Sequence, residues 1–315
     1  MATEFEGRRN NFTFIDLFAG VGGFRLAAEQ NGGECVFSSE WDKDSAKTYE
    51  FNHGARPAGD ITKILSKEIP DFDLLCAGFP CQPFSIIGQR AGFEHPTQGT
   101  LFFDVLRILK EKSPQAFILE NVEGLLSHDK GKTFKIIIES LEEIGYKTYW
   151  KKLDAKDFGL PQRRVRVFIV GFNSSDHAAP KGFSFPPKWG RVVPIGPFVE
   201  YGAKGYSVSE ALQKYLFKLD DGQPQVIDRQ TQDVAKTLVA SYYKVQRKTG
   251  TFVRDLGSET GIRLLTEFEC KSMMGFPASF VFPVSRTQMY RQMGNSVAVN
   301  VVDALIRQIA MELDW

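Results

Sequence analysis

Hydrophobic and polar positions change period repeatedly along the first 170 or so residues. Short apolar runs rich in β-branched and aromatic residues give way to stretches with apolar positions three and four apart. The pattern predicts strands over 13–18, 34–39, 72–76, 116–120, 147–153 and 166–172, and helices over 22–30, 42–51, 101–112 and 133–144. Strands alternating with helices build βαβ units, so the expected fold is α/β, a doubly wound and mostly parallel sheet. Two stretches break the rhythm. Residues 78–99 are rich in Gly, Pro, Gln and Ser without periodicity, as in a long functional loop. From about 173 to 261 the alternation fades into Pro, Gly, Tyr and basic residues, which marks a second, smaller domain. Helical spacing returns over 266–274 and 297–313, the last long and apolar enough to pack back on the first domain. The boundaries expected are 1–190, 191–280 and 281–315.

A chain of 315 residues, 43% hydrophobic and 24% charged, has material for a large core and a globular form. It contains no apolar run of about 18 residues, so no membrane span is expected. The four cysteines, Cys35, Cys76, Cys81 and Cys270, lack metal-ligand spacing and read as reduced thiols of a cytoplasmic protein, with no metal. The net charge of +1 hides an asymmetry: residues 1–150 carry −6 and residues 151–262 carry +7. A polyanionic partner would favour the middle third.

The candidate chemistry begins in Phe14-Ile-Asp-Leu-Phe-Ala-Gly-Val-Gly-Gly-Phe24, a strand, a glycine turn and a helix start. Glycines let the backbone approach a ligand closely, and the spacing is not the GxGxxG of a dinucleotide site. Glu40, twenty residues after Gly20, can accept two ribose hydroxyls at the end of the second strand. Trp41 can stack on adenine, and Asp60, where a third strand would end, can accept from an exocyclic amine.

Gly78-Phe-Pro-Cys-Gln-Pro-Phe84 lies at the carboxyl end of a strand, the edge where open α/β sheets bind ligands. Prolines on both sides fix the backbone around Cys81, which distinguishes it from a cysteine that merely fills a core. Glu120 ends a strand on the same edge. Arg164 and Arg166, in Gln162-Arg-Arg-Val-Arg166, fall on one face of a strand if alternation holds, and a cationic face can lower a thiol pKa or hold a phosphate.

These segments, in this order and together spanning most of the chain outside 173–261, resemble the cytosine-5 DNA methyltransferase family. The resemblance implies S-adenosyl-L-methionine as cofactor and double-stranded DNA as substrate, with the cytosine flipped out of the helix. It implies Cys81 as the nucleophile that adds to carbon 6, Glu120 as the acid at nitrogen 3, and Arg164 and Arg166 as holders of the base and nearby phosphate. Phe18, Gly20, Gly22 and Gly23 would form the cofactor turn, with Glu40 at the ribose, Trp41 and Asp60 at the adenine, and Leu101, Asn295 and Val297 completing the pocket. Gln82, Ser85 and Ile87 would belong to a lid closing on the DNA; Ile87 stands where a member of the family has serine.

The basic third is where such enzymes read sequence. Thr237 begins a Thr-Leu pair that resembles one steadying the target nucleotide's backbone. Tyr242, Tyr243, Lys244 and Arg247 offer aromatic faces and donors for base edges. A monomer at the nucleoid, with a cognate restriction endonuclease acting separately, completes the expectation. The alternatives are a transfer-RNA cytosine methyltransferase of the same fold, although its Cys-Phe-Thr element is missing here; a nicotinamide oxidoreductase, which leaves Cys81 unexplained; and a silent relative, which needs no intact Cys81 and Glu120.

Overall fold

The computed structural model describes residues 12–80, 101–175, 180 and 182–315. The chain runs β1 (Phe12–Leu17), α1 (Gly23–Gln30), β2 (Gly33–Ser39), α2 (Lys43–His53), β3 (Leu74–Gly78), α3 (Leu101–Lys112), β4 (Ala116–Val122), α4 (Lys132–Glu143), β5 (Tyr146–Asp154) and β6 (Val165–Asn173). There follow α5 (Glu210–Leu216), β7 (Gln225–Ile227), β8 (Thr251–Arg254), β9 (Ile262–Arg263), α6 (Glu267–Met274), α7 (Arg286–Asn295) and α8 (Val299–Leu313).

Six strands form the main sheet in the order β2-β1-β3-β4-β6-β5. β1 to β4 are parallel, while β6 runs antiparallel to both β4 and β5. The carboxyl ends of β1, β2, β3 and β4 therefore share one edge. Side-chain alternation divides the core into two faces. Phe12, Phe14, Leu74, Cys76, Ile118, Phe168 and Val170 point to the side covered by α1 and α8. Ile15, Leu17, Leu75, Ala77, Phe117, Leu119, Val167 and Ile169 point to the side covered by α3 and α4. Each Val, Leu, Ile or Phe side chain fully buried there contributes about 1.5–3 kcal/mol of hydrophobic free energy.

The helices begin and end where their chemistry dictates. Asp42 caps α2 by accepting from the Ser45 amide at 2.8 Å, and Gly54 ends it in the left-handed region. Thr266 and Glu269 form a reciprocal capping box on α6. α8 returns to the first domain as expected: it packs on α1, and Asn31 Nδ2 donates to Asp303 Oδ1 at 2.8 Å.

Two expectations fail. Asp60 ends no strand; it caps a short 3-10 turn, Ile61–Lys63, because the chain between α2 and β3 is built of single turns rather than extended backbone. β6 begins at Val165, so Arg164 lies before the strand and does not share a strand face with Arg166. The second region carries its own small sheet, β7-β8-β9, whose strands have three, four and two residues.

Candidate active site

The glycine turn leaves β1 through three left-handed residues, Phe18 (φ 55°), Gly20 (φ 57°) and Gly22 (φ 89°). For a bulky residue such as Phe18 this conformation costs free energy and persists only where the surroundings impose it. Glu40 imposes part of it. One carboxylate oxygen accepts from the Gly20 amide at 2.8 Å and the other from the Asp42 amide at 2.7 Å, while the Ala19 amide donates to the Ser39 carbonyl. Burial raises the Glu40 pKa, and those amides partly offset it.

At Gly22 a Cβ would stand 2.2 Å from His53 Nε2, whose N–H donates to the Val21 carbonyl at 3.2 Å. At Gly23 it would meet Val297 at 2.8 Å, so both glycines are required by packing. Beneath the turn Asp16 is fully buried, and that burial pushes its carboxyl up to about 8 against the opposing charge of Arg25. Trp41 is 78% exposed and presents its indole next to Glu40 in the chain. Asp60 is held below the usual carboxylate range by its hydrogen bonds to Thr62. Leu101 is half-buried at the start of α3, and Asn295 is exposed at the end of α7.

Gly78, at the end of β3, joins this turn to the acid. A Cβ there would lie 3.6 Å from Phe24, 3.8 Å from Glu120 Oε2 and 3.9 Å from Val297. Glu120 Oε1 is 3.2 Å from Arg166 Nε. Burial raises the Glu120 pKa, opposed by the charges of Arg166 and Arg164. A largely buried carboxyl beside cationic groups can hold and deliver a proton. Cys81 lies outside the described residues, as do Gln82, Ser85 and Ile87. Just before that segment, Phe79 is held by Asn121, which residue type alone does not mark as functional. Its buried amide donates to the Phe79 carbonyl at 2.9 Å, and its oxygen accepts from the Val122 amide. The Glu-Asn-Val run was the available signal.

Three sequence expectations need correction. Arg164 is 2% exposed and donates to the carbonyls of Leu238 (3.0 Å), Gly294 (3.0 Å) and Ser296 (2.6 Å), so its guanidinium ties backbone segments together and cannot reach a base or phosphate. Tyr242 is buried, donates to the Thr251 carbonyl and accepts from the Leu265 amide. Arg247 is buried against Asp221 and the carbonyls of Leu216 and Leu219. Neither faces a DNA surface. Lys244 is exposed with its ammonium 5.9 Å from the half-buried Tyr243 ring, and Thr237 donates to the Arg163 carbonyl at 2.6 Å.

The seam that carries Thr237 is continuous with the catalytic sheet. The Arg163 amide donates to the Ala235 carbonyl and the Ala235 amide to the Pro161 carbonyl across it, and the buried Gln162 side chain bridges the Leu238 amide and the Met273 carbonyl. Gly294 permits the close passage, since a Cβ there would fall 2.2 Å from the Ala240 nitrogen.

A profile of the family described as C-5 cytosine-specific DNA methylase matches residues 12–311. The chain belongs to that family. It is 56% identical over 306 residues to the Type II methyltransferase M.MspI of Moraxella sp, covering 96% of this chain and 72% of the relative. It is 54% identical over 307 residues to M.BsuFI of Bacillus subtilis, covering 96% and 73%. Among solved structures, a mutant DNMT2 of Spodoptera frugiperda superposes with a TM-score of 0.79 at 20% identity, covering 95% and 99%, a likeness of fold. This C-5 methylase accordingly transfers methyl groups from S-adenosylmethionine to cytosine in DNA. The turn fits that donor: Glu40 retains lone pairs for hydroxyls beyond its two amide bonds, and among the described residues nothing lies within 4 Å of where a Gly20 Cβ would stand.

Proposed function

We propose that this methylase is the modification enzyme of a Type II restriction–modification system, acting as a monomer in the cytoplasm on duplex DNA at one short site, with a separate cognate endonuclease. The observation that carries the chemical reading is the Glu120–Arg166 pair set within one glycine of the cofactor turn. The first 190 residues and residues 281–315 form the catalytic part, and residues 191–280 read the DNA. Relatives at 54–56% identity named Type II methyltransferases favour DNA over transfer RNA.

Carbon 5 of cytosine is a poor nucleophile. Addition of the Cys81 thiolate to carbon 6 forms a C–S bond and makes an enamine with electron density on carbon 5. The Glu120 carboxyl, whose pKa burial raises, gives its proton to nitrogen 3 and so stabilises that adduct. Arg166 holds the carboxyl in place and presents its remaining N–H groups to the base. When bound, S-adenosylmethionine supplies an electrophilic methyl group. Glu40 receives the ribose, Trp41 stacks on the adenine and Asp60 accepts from its amine, while Phe18, Gly20, Gly22, Gly23, Leu101, Asn295 and Val297 shape the pocket. Loss of the carbon 5 proton to a base, return of the nitrogen 3 proton to the Glu120 carboxylate and departure of the thiolate restore the ring. Thr237, Tyr243 and Lys244, with Gln82, Ser85 and Ile87, contact the DNA.

Expression in a methylation-free bacterial host, followed by bisulfite sequencing, tests this. Marks at one short repeated motif, lost in Cys81→Ser, are the expected result. An unmarked genome with folded protein present would overturn it.

A further inference from the structure

Glu40 fixes the entry to the glycine turn through the Gly20 amide; the exit is held by His53, the last residue of α2. His53 Nε2 meets the Val21 carbonyl at 3.2 Å. The Gly22 amide belongs to the same planar peptide and donates to the Ala19 carbonyl at 2.8 Å, so both ends of that peptide are held. Burial and the charge of Arg25 keep the imidazole below its ordinary pKa. The ring is therefore neutral at neutral pH with a single N–H, and a carbonyl partner requires that hydrogen on Nε2.

The ring is itself fixed. It packs on Tyr49 with centroids 4.6 Å apart and meets Phe280 edge-on at 6.2 Å, while the missing Cβ of Gly22 leaves it room. Arg25 Nη2, from α1, reaches the His53 carbonyl at 3.4 Å. The same end of α2 grips the C-terminal part of the chain. The Asn52 amide group donates to the Val281 carbonyl at 2.7 Å and accepts from the Val281 amide at 2.8 Å. One turn earlier Thr48 Oγ1 donates to Gln292 Oε1 at 3.0 Å, on the helix that ends at Asn295. α2 thus brackets the glycine turn against the segment that carries Asn295 and Val297.

We propose that His53 is a positioning residue for S-adenosylmethionine: its Nε2–H fixes the Val21–Gly22 peptide and so the shape of the turn that receives the donor. It touches no reacting atom. This rests on the reading of the turn as the donor's seat. A peptide left free to rotate would have to be ordered when the donor binds, at a cost in affinity.

The test is equilibrium titration of S-adenosylmethionine into the folded protein, with steady-state kinetics alongside. His53→Phe keeps a ring between Tyr49 and Phe280 but has no donor. His53→Leu removes the donor without crowding Gly22, and His53→Gln returns an amide N–H near the Nε2 position. Loss of one hydrogen bond is expected to raise the donor Kd about fivefold in His53→Phe and His53→Leu. His53→Gln should stay close to wild type. KM for the donor should follow Kd, with kcat at saturating donor near wild type. An unchanged Kd in either variant without the donor, or a loss in His53→Gln as large as in His53→Leu, overturns the assignment, because packing alone then accounts for the residue. Wild-type affinity in Glu40→Ala would instead sink the reading of the turn as the donor's seat.

Discussion

Two arginine clusters show how differently the molecule uses buried charge. In the second region Arg263 is fully buried, and its N–H groups are taken by Asp255 (2.8 Å), Glu269 (2.7 and 2.9 Å) and the carbonyls of Glu200 and Leu264. At the sheet edge, among the described residues, Arg166 meets one carboxylate, Glu120, and one neighbouring carbonyl, with both side chains slightly exposed. The first network is closed and has no capacity left for a ligand. The second is open, and its acid carries a raised pKa. Satisfaction of the donors, more than burial or charge, separates the framework from the chemistry.

That contrast can be broken from either side. Glu120→Gln should reduce kcat by about 10²–10⁴ with cofactor affinity and thermal midpoint near wild type. Since the protonated acid is the working form, the wild-type rate should fall as pH rises through the elevated Glu120 pKa, and the residual rate of the variant should be flat; a pH–rate profile reads both. Arg263→Met leaves Asp255 and Glu269 unpaired in the interior and should cost about 3–5 kcal/mol in urea unfolding. Near-wild-type stability there would show the triad to be dispensable. Gly22→Ala forces a Cβ onto the His53 ring at a left-handed φ, a strain of about 1–2 kcal/mol, so cofactor Kd should rise about tenfold by equilibrium titration. Tyr242→Phe should cost about 1 kcal/mol of stability and leave DNA affinity unchanged; weakened DNA binding would return Tyr242 to the recognition surface.

How far these features were legible depends on their scale. The parallel strands and their helices could be read because β1 to β4 are apolar runs bounded by glycine or polar turns, and the glycine turn identifies itself by composition. The expected strand ending at Asp60 failed because single 3-10 turns carry no period. The small sheet stayed hidden because strands of two to four residues are too short to show alternation. α7 was missed for another reason: Arg286–Asn295 is polar in sequence, yet Met289, Tyr290, Gln292 and Met293 are buried by contacts from distant segments. Residue type alone misassigned Arg164, Tyr242 and Arg247. An arginine or tyrosine looks the same in sequence whether it faces DNA or the carbonyls of its own chain, and only the tertiary partners decide.

The packing of Val297 against Gly23 has a thermodynamic consequence. The two residues lie far apart in sequence, and nearly the whole chain forms the loop between them. Closing so long a loop is costly in entropy, though the cost grows only slowly with length. A donor seated on the turn and against Val297 would act as a reversible staple across that loop, adding RT ln(1 + [L]/Kd) to the stability of the folded chain. Occupancy of a small pocket is thereby coupled to the integrity of the entire fold, and a melting curve becomes a binding isotherm.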